Sequence, residues 1–181
     1  MSTHRRLGID IGRVIIGTAA LGGESDTAFL TDTEEGALLT SPAEGAFESI
    51  ARLVDAFDGQ VWLVSKCGER IRERSKRWLA HQDFFTKTGL PEENLRFCRK
   101  RHEKRGHAEE LGLGYFVDDR VGVLKHLIDV VPRLYLFGHQ KPGVELKGTT
   151  AVLNWDEAEK TILRDLRRDE IRSARGEPSA S

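Results

Sequence analysis

Leu7-Gly8-Ile9-Asp10-Ile11-Gly12-Arg13-Val14-Ile15 opens as an apolar run, meets an acid and is then broken by glycine. A short apolar run bounded by glycine reads as a strand of a parallel sheet, buried on both faces. About a hundred residues later, Tyr115-Phe116-Val117-Asp118-Asp119-Arg120 repeats the pattern, again ending in acid. Carboxylates at the C-terminal ends of such strands sit where open α/β sheets place their ligands. Three acids from two strands thus have a common meeting point. Hard oxygen ligands with room for water suit Mg²⁺ and a phosphate.

Between and beyond these runs, strand and helix patterns alternate. Ser41-Pro42-Ala43-Glu44 carries the signature of a helix start, with Ser as N-cap, Pro in the first turn and Glu placed to reach back. Ala46, Phe47, Ile50, Ala51, Leu53, Val54 and Phe57 follow on one helical face. Val61–Val64 reads as a second strand ending at Ser65, Glu69–Ala80 as a basic amphipathic helix, and Leu95–Cys98 as a third strand. Arg105–Leu111 reads as a short helix closed by Gly112, Tyr115–Val117 as the fourth strand and Val121–Val130 as a helix. Leu134–Phe137 and Thr150–Leu153 complete the strands. Asn154 and Glu157 form a capping pair for a final helix to about Ala174. This alternation predicts an α/β fold of three layers, a central parallel sheet between helices. Residues 1–175 are expected to form one domain, with 14–40 as a flap, hairpin or at most a small cap and 176–181 as a disordered tail.

Composition narrows the function classes. The chain has 181 residues, 39% hydrophobic and 31% charged, which suits a single globular domain with a substantial core. A formal net charge of −1 gives no bulk field toward nucleic acid or membrane. No apolar run is long enough for a membrane span and no apolar leader follows Met1, so cytoplasmic residence is the expectation. Two cysteines, Cys67 and Cys98, without CxxC spacing give no zinc signature and are expected to stay reduced.

At this point the chain resembles the haloacid-dehalogenase-like (HAD) superfamily, whose site is built from four loops at strand ends. Those loops carry an Asp-x-Asp, a Ser or Thr, a Lys, and an acidic pair. The resemblance covers residues 7–137 and implies a Rossmann-like HAD fold. It implies that Asp10 is the nucleophile that takes up a phosphoryl group. It makes Ser65, with Lys66 beside it, the phosphate-binding position, Lys104 the loop lysine, and Asp118 with Asp119 the Mg²⁺-binding pair. The wording of Val64–Gly68, Arg96–Arg99 and Phe116–Arg120 is also similar to a narrower bacterial group of hydrolase-like proteins, which supplies no substrate.

The implied chemistry is coherent. A carboxylate that attacks phosphorus splits one displacement into two, Mg²⁺ offsets charge on carboxylate and phosphate, and a neighbouring lysine keeps the carboxylate ionised. One departure stands out. Gly12 replaces the second Asp of the first loop, the residue that serves the family as general acid and base, and Arg13 follows it. The family's metal also binds the backbone carbonyl at this position, which Gly12 retains. Three outcomes stay open: a slow phosphatase, an enzyme for substrates with good leaving groups, or a protein that binds a phosphorylated ligand or a partner without turnover. Arg13 is placed to offset charge on the leaving-group side, but it cannot act as a base.

Each residue also has a plainer reading. Asp119 suits the N-cap of a helix beginning near Val121 as well as it suits a metal. Ser65 reads equally as a turn residue. Lys104 sits among Lys100, Arg101 and Arg105, which together make a solvated basic loop. Cys67 lacks a readable histidine partner and reads as a packed or exposed thiol. Arg70, Arg72, Arg74, Lys76 and Arg77 form either a solvated helix face or, as the less favoured reading, a nucleic-acid surface. A small cap leaves the site open, suiting a phosphorylated small molecule, a phosphorylated macromolecule, or a homo-oligomer whose neighbour covers it.

Overall fold

The computed structural model describes residues 5–17, 29–30 and 33–176. Residues 18–28 and 31–32 of the expected 14–40 flap and residues 177–181 of the tail lie outside them. Strand β1 (Leu7–Ile9) pairs in parallel with both β2 (Val61–Lys66) and β4 (Tyr115–Asp118). β3 (Leu95–Cys98) extends the sheet beyond β2, and β5 (Arg133–Phe137) and β6 (Thr149–Val152) extend it beyond β4. The result is a six-stranded, all-parallel sheet in the order β3-β2-β1-β4-β5-β6. The chain builds outward from β1 to β3, then returns to β1's other side and builds outward again. The crevice between the C-terminal ends of β1 and β4 is therefore the topological switch point, where open α/β sheets bind ligands.

Helices cover both faces, giving a Rossmann-like three-layer α/β architecture. On one face α2 (Ala46–Ala56), α3 (Glu69–His81), α4 (Phe84–Thr88) and α7 (Trp155–Ala174) enclose a core with Leu7, Ile9, Leu63, Val117 and Phe137. On the other, α5 (Glu103–Leu111) and α6 (Val121–Leu124) cover Trp62, Val64, Phe116, Leu134 and Leu136. Successive residues alternate between the two cores, which is why each strand is apolar throughout rather than at every second position. Asn154 caps α7 by accepting from the Glu157 backbone N–H, and Glu157 reaches back to the Leu153 N–H, as its capping pair predicts. No helix among the described residues is long and apolar enough to cross a membrane.

Two local expectations are corrected. The Ser41-Pro42-Ala43-Glu44 helix start is not used: Pro42 forms an antiparallel bridge with Ile16, and the Ala43 N–H donates to the Ile15 carbonyl at 2.8 Å. α2 begins only at Ala46, after Gly45 turns the chain with φ 71°. The 121–130 helix stops at Leu124, beyond which His126, Leu127 and Val130 donate to carbonyls three residues back. These tighter bonds give turns rather than a continued α-helix. The described part of 14–40 includes a short helix, α1 (Glu34–Leu38), capped by Thr33.

The basic helix α3 is not a solvated face along its length. Arg74 is 2% exposed, donates to the Phe29 carbonyl at 2.6 Å and pairs with Glu34 of α1. Arg70 donates to the Leu30 carbonyl, and Arg77 also pairs with Glu34. On the same side, the Trp78 indole N–H donates to the Thr40 carbonyl at 2.8 Å. These bonds hold Phe29, Leu30, Glu34 and Thr40 against α3.

β1 reaches β4 closely because Gly8 has no side chain. A Cβ there would lie 2.5 Å from Phe116 Cδ2 and 2.7 Å from Leu113 Cδ1, both in packed core. Gly8→Ala is expected to lower stability by about 1–3 kcal/mol, the ordinary cost of overpacking. Urea denaturation of the two proteins measures it, and equal midpoints would show that the two strands pack more loosely than described.

Candidate active site

The site grows from the ends of β1, β2 and β4. Asp10 directly follows β1, and its N–H extends the ladder to the Val117 carbonyl at 2.9 Å. Asp118 ends β4 and is fully buried. Lys104 lies in the first turn of α5, where the helix runs behind the sheet edge, and its side chain points inward and is 1% exposed. Its Nζ lies 2.6 Å from Asp10 Oδ1 and 2.7 Å from Asp118 Oδ2, and 5.5 Å from the centre of the Phe116 ring. Burial pulls the ammonium down, but attraction to Asp10 and Asp118 outweighs it and holds Lys104 charged. Burial likewise pushes the Asp118 carboxyl up against the pull of Lys104, with Asp10 and Asp119 adding repulsion.

Asp119 completes the group: carboxylate oxygens of Asp10, Asp118 and Asp119 all lie within 4.8 Å of one another. The N-cap reading of Asp119 does not hold. The N-cap of α6 is Arg120, without a side-chain cap, and it is Asp118 Oδ1 that accepts from the Arg120 N–H at 2.9 Å. Asp119 instead forms an ion pair with Arg13 through Oδ2, while its buried Oδ1 has no hydrogen-bond partner. Arg13 adopts a left-handed conformation, φ 61°, which costs a non-glycine residue about 1–2 kcal/mol. That turn carries its guanidinium back over the acids. Gln140 donates to the Asp119 carbonyl at 3.2 Å and the Phe137 carbonyl at 3.0 Å, fixing the strand end from the β5 side.

A cleft of about 240 Å³ opens above these groups. Asp10, Gly12, Ser65, Lys66, Lys104 and Asp118 all line it, with Ser65 buried and Lys66 exposed at the end of β2. The structure thus brings the strand-end residues into one place. Cys67 also lines the cleft, but burial, with the Asp10 charge, pushes its thiol up to about 11. It is held protonated and is a poor nucleophile. Arg101, from the basic stretch 96–105 that the sequence places near the site to steer a polyanionic substrate, lines the rim. Arg120 and an apolar wall of Ile16, Phe29, Leu30 and Ile71 escape the sequence reading. Arg101 had a local signal, standing one helical turn before Lys104. Phe29 and Leu30 had none, because they are brought in by Arg74 and Arg70 from a distant helix.

The acids make stability depend on pH. Burial and then repulsion from Asp10 raise Asp119 to about 6, against the pull of Arg13 and Arg120, from an ordinary 3.8. The native protein therefore holds more protons than the unfolded chain between those values, and this contribution to stability falls as pH rises through them. In chelator, wild type is expected to lose up to about 3 kcal/mol relative to Asp119→Asn between about pH 4 and pH 7. Urea curves at each pH measure the difference, and a flat difference would mean that Arg13 keeps Asp119 ionised throughout.

No family model matches this chain, and no curated protein matches it at a significant level.

Proposed function

We propose that this chain is a cytoplasmic, Mg²⁺-dependent phosphohydrolase or phosphotransferase of the HAD type, acting on a phosphorylated small molecule through an aspartyl phosphate on Asp10. The observation that carries this reading is the Lys104 ammonium shared between Asp10 and Asp118 at the switch point of the sheet. Such an arrangement orients the Asp10 carboxylate at the floor of an open cleft beside a cation, as a nucleophile requires. The Ser65 hydroxyl position, one strand over, supplies a neighbouring contact for phosphate oxygens.

The residues present fit a divalent cation. Asp119 Oδ1 is buried without a hydrogen-bond partner, and it lies in a group of three carboxylates that Lys104 and Arg13 do not fully neutralise. All donors are oxygens, the set that Mg²⁺ prefers. Asp10, Asp118, Asp119 and the Gly12 carbonyl would hold it. When bound, Mg²⁺ offsets the charge of carboxylate and phosphate as they approach.

In the reaction, an Asp10 oxygen bonds to phosphorus and the phosphorus–ester oxygen bond breaks, the ester oxygen leaving with the electron pair and taking a proton from water. Water, or another acceptor hydroxyl, then attacks the phosphorus of the acyl phosphate, and Asp10 returns as a carboxylate. Lys104 holds the Asp10 side chain in place for attack and lies beside it when the carboxylate is released. Arg13 lies beside the acids on the leaving-group side. No side chain at position 12 hands over or receives a proton, so this scheme favours substrates whose leaving oxygen needs little protonation. That same gap supports the second reading, a protein that binds a phosphorylated ligand with little turnover.

Two measurements separate these. Mg²⁺ should raise the melting temperature of wild type, because a ligand selective for the native state stabilises it. The absence of any shift would remove the metal from the site. Restoring a carboxylate is structurally feasible, since Gly12 is outside the left-handed region and a Cβ there would meet nothing within 4 Å. Gly12→Asp is expected to raise hydrolysis of a generic aryl phosphate by roughly 10²–10⁴, the worth of general acid–base help. The gain should vanish in Gly12→Asp combined with Asp10→Asn. A folded, Mg²⁺-binding Gly12→Asp protein without any gain would favour the binding reading.

A further inference from the structure

The cleft carries more positive charge than a single phosphate group at Asp10 explains. Four cations line it, Lys66, Arg101, Lys104 and Arg120, against Asp10 and Asp118, while Asp119 of the same acidic group is paired with Arg13. Lys104 is committed to Asp10 and Asp118. Among the described residues Lys66 and Arg101 make no ion pair; Arg99 and Lys100 beside Arg101 make none either, but they do not line the cleft, whereas Arg105 is paired with Glu109 and Asp129. Arg120 reaches Asp119 only at 3.9 Å. Arg101 lies along the start of α6, where a Cβ on Gly122 would come within 3.3 Å of its Nη1. Gly122 thus leaves the guanidinium room beside the backbone at the cleft rim. Exposed cations that the fold leaves unpaired, on one side of a concave site, bind anions rather than stabilise the protein.

We propose that the ligand of this cleft carries a second anionic group, a phosphate or carboxylate, which Arg101 binds at the rim with Lys66 and Arg120 nearby, while its phosphoryl group meets Asp10. The substrate class is a small phosphomonoester with two anionic ends. The inference rests on the phosphate site proposed above. The wall of Ile16, Phe29, Leu30, Ile71 and Ser75 carries no charged side chain, so the cation for a second anion comes from Arg101, Arg120 and Lys66. At about 240 Å³ the cleft suits a small molecule rather than a polymer.

Calorimetric titration in Mg²⁺ with propyl phosphate and propane-1,3-diyl bisphosphate tests this in wild type, Arg101→Gln and Lys100→Gln. Wild type should bind the bisphosphate at least about tenfold more tightly, the worth of one charge-assisted contact. Arg101→Gln should erase most of that preference while leaving the affinity for propyl phosphate unchanged. Lys100→Gln removes the same charge from the adjacent residue, which does not line the cleft, and should keep the preference. Equal affinity for the two ligands in wild type, or a preference that survives Arg101→Gln, would overturn the second-anion site and leave the phosphate site standing. Failure of both ligands and of inorganic phosphate to bind wild type would overturn the phosphate site and the inference with it. A short single-stranded oligonucleotide that displaces the bisphosphate at equal concentration would overturn the small-molecule class.

Discussion

The Lys104 ammonium is buried from solvent, and among the described residues its charge is balanced by Asp10 from one half of the chain and Asp118 from the other. A buried charge is tolerable when its partners are close and its hydrogen bonds are made. Here that requirement fixes three elements at once: the end of β1, the end of β4 and the first turn of α5. Losing any one of the three groups would leave the others charged and desolvated, a penalty of about 3–5 kcal/mol. The same contacts orient Asp10 at the floor of the cleft. Stability and chemistry are thus served by one set of atoms, and neither can be altered alone.

Around this centre the protein spends further buried charge to shape the cleft. Arg13 accepts a left-handed backbone to sit on Asp119. Arg74 is buried so that Phe29 and Glu34 can be drawn against α3. The outcome is a cleft with unlike sides, apolar toward α3 and cationic toward α5 and α6. A wall built by long-range ties to backbone carbonyls is specific about where the chain runs but tolerant of which side chains it presents. The apolar side is therefore the part of the site most readily altered without disturbing the acids.

The strands and the strand-end acids were readable from the chain because a parallel strand buried on both faces must be an unbroken apolar run. An acid at the end of such a run has few reasons to be there. Local signals failed where a distant partner intervened. Ser41-Pro42-Ala43-Glu44 has every feature of a helix start, but Pro42 is recruited to pair with Ile16, and hydrogen bonds made across the fold displaced the local preference. Val121–Val130 has a helical pattern, yet its bonds tighten after Leu124. Charges on 69–80 looked solvated because nothing in the sequence says that residues 29–34 lie against them. Arg101 and Arg120 were visible as cations, but their place on the cleft rim depends on how α5 and α6 meet the sheet.

The position of β1 at the centre of the sheet has a consequence for how the protein is made. Its two neighbours are β2 and β4, and Leu7 lies opposite Tyr115 in the second pairing. At a synthesis rate of roughly 5–20 residues per second, β1 waits about 5–20 s for that partner to leave the ribosome. Throughout that interval one edge of an apolar strand is open, and Asp10 lacks the lysine 94 residues downstream that will neutralise it. An unpaired carboxylate at the end of that strand opposes premature burial of the edge. The charge that belongs to the finished site thus also acts as a guard against early misassociation of the nascent chain.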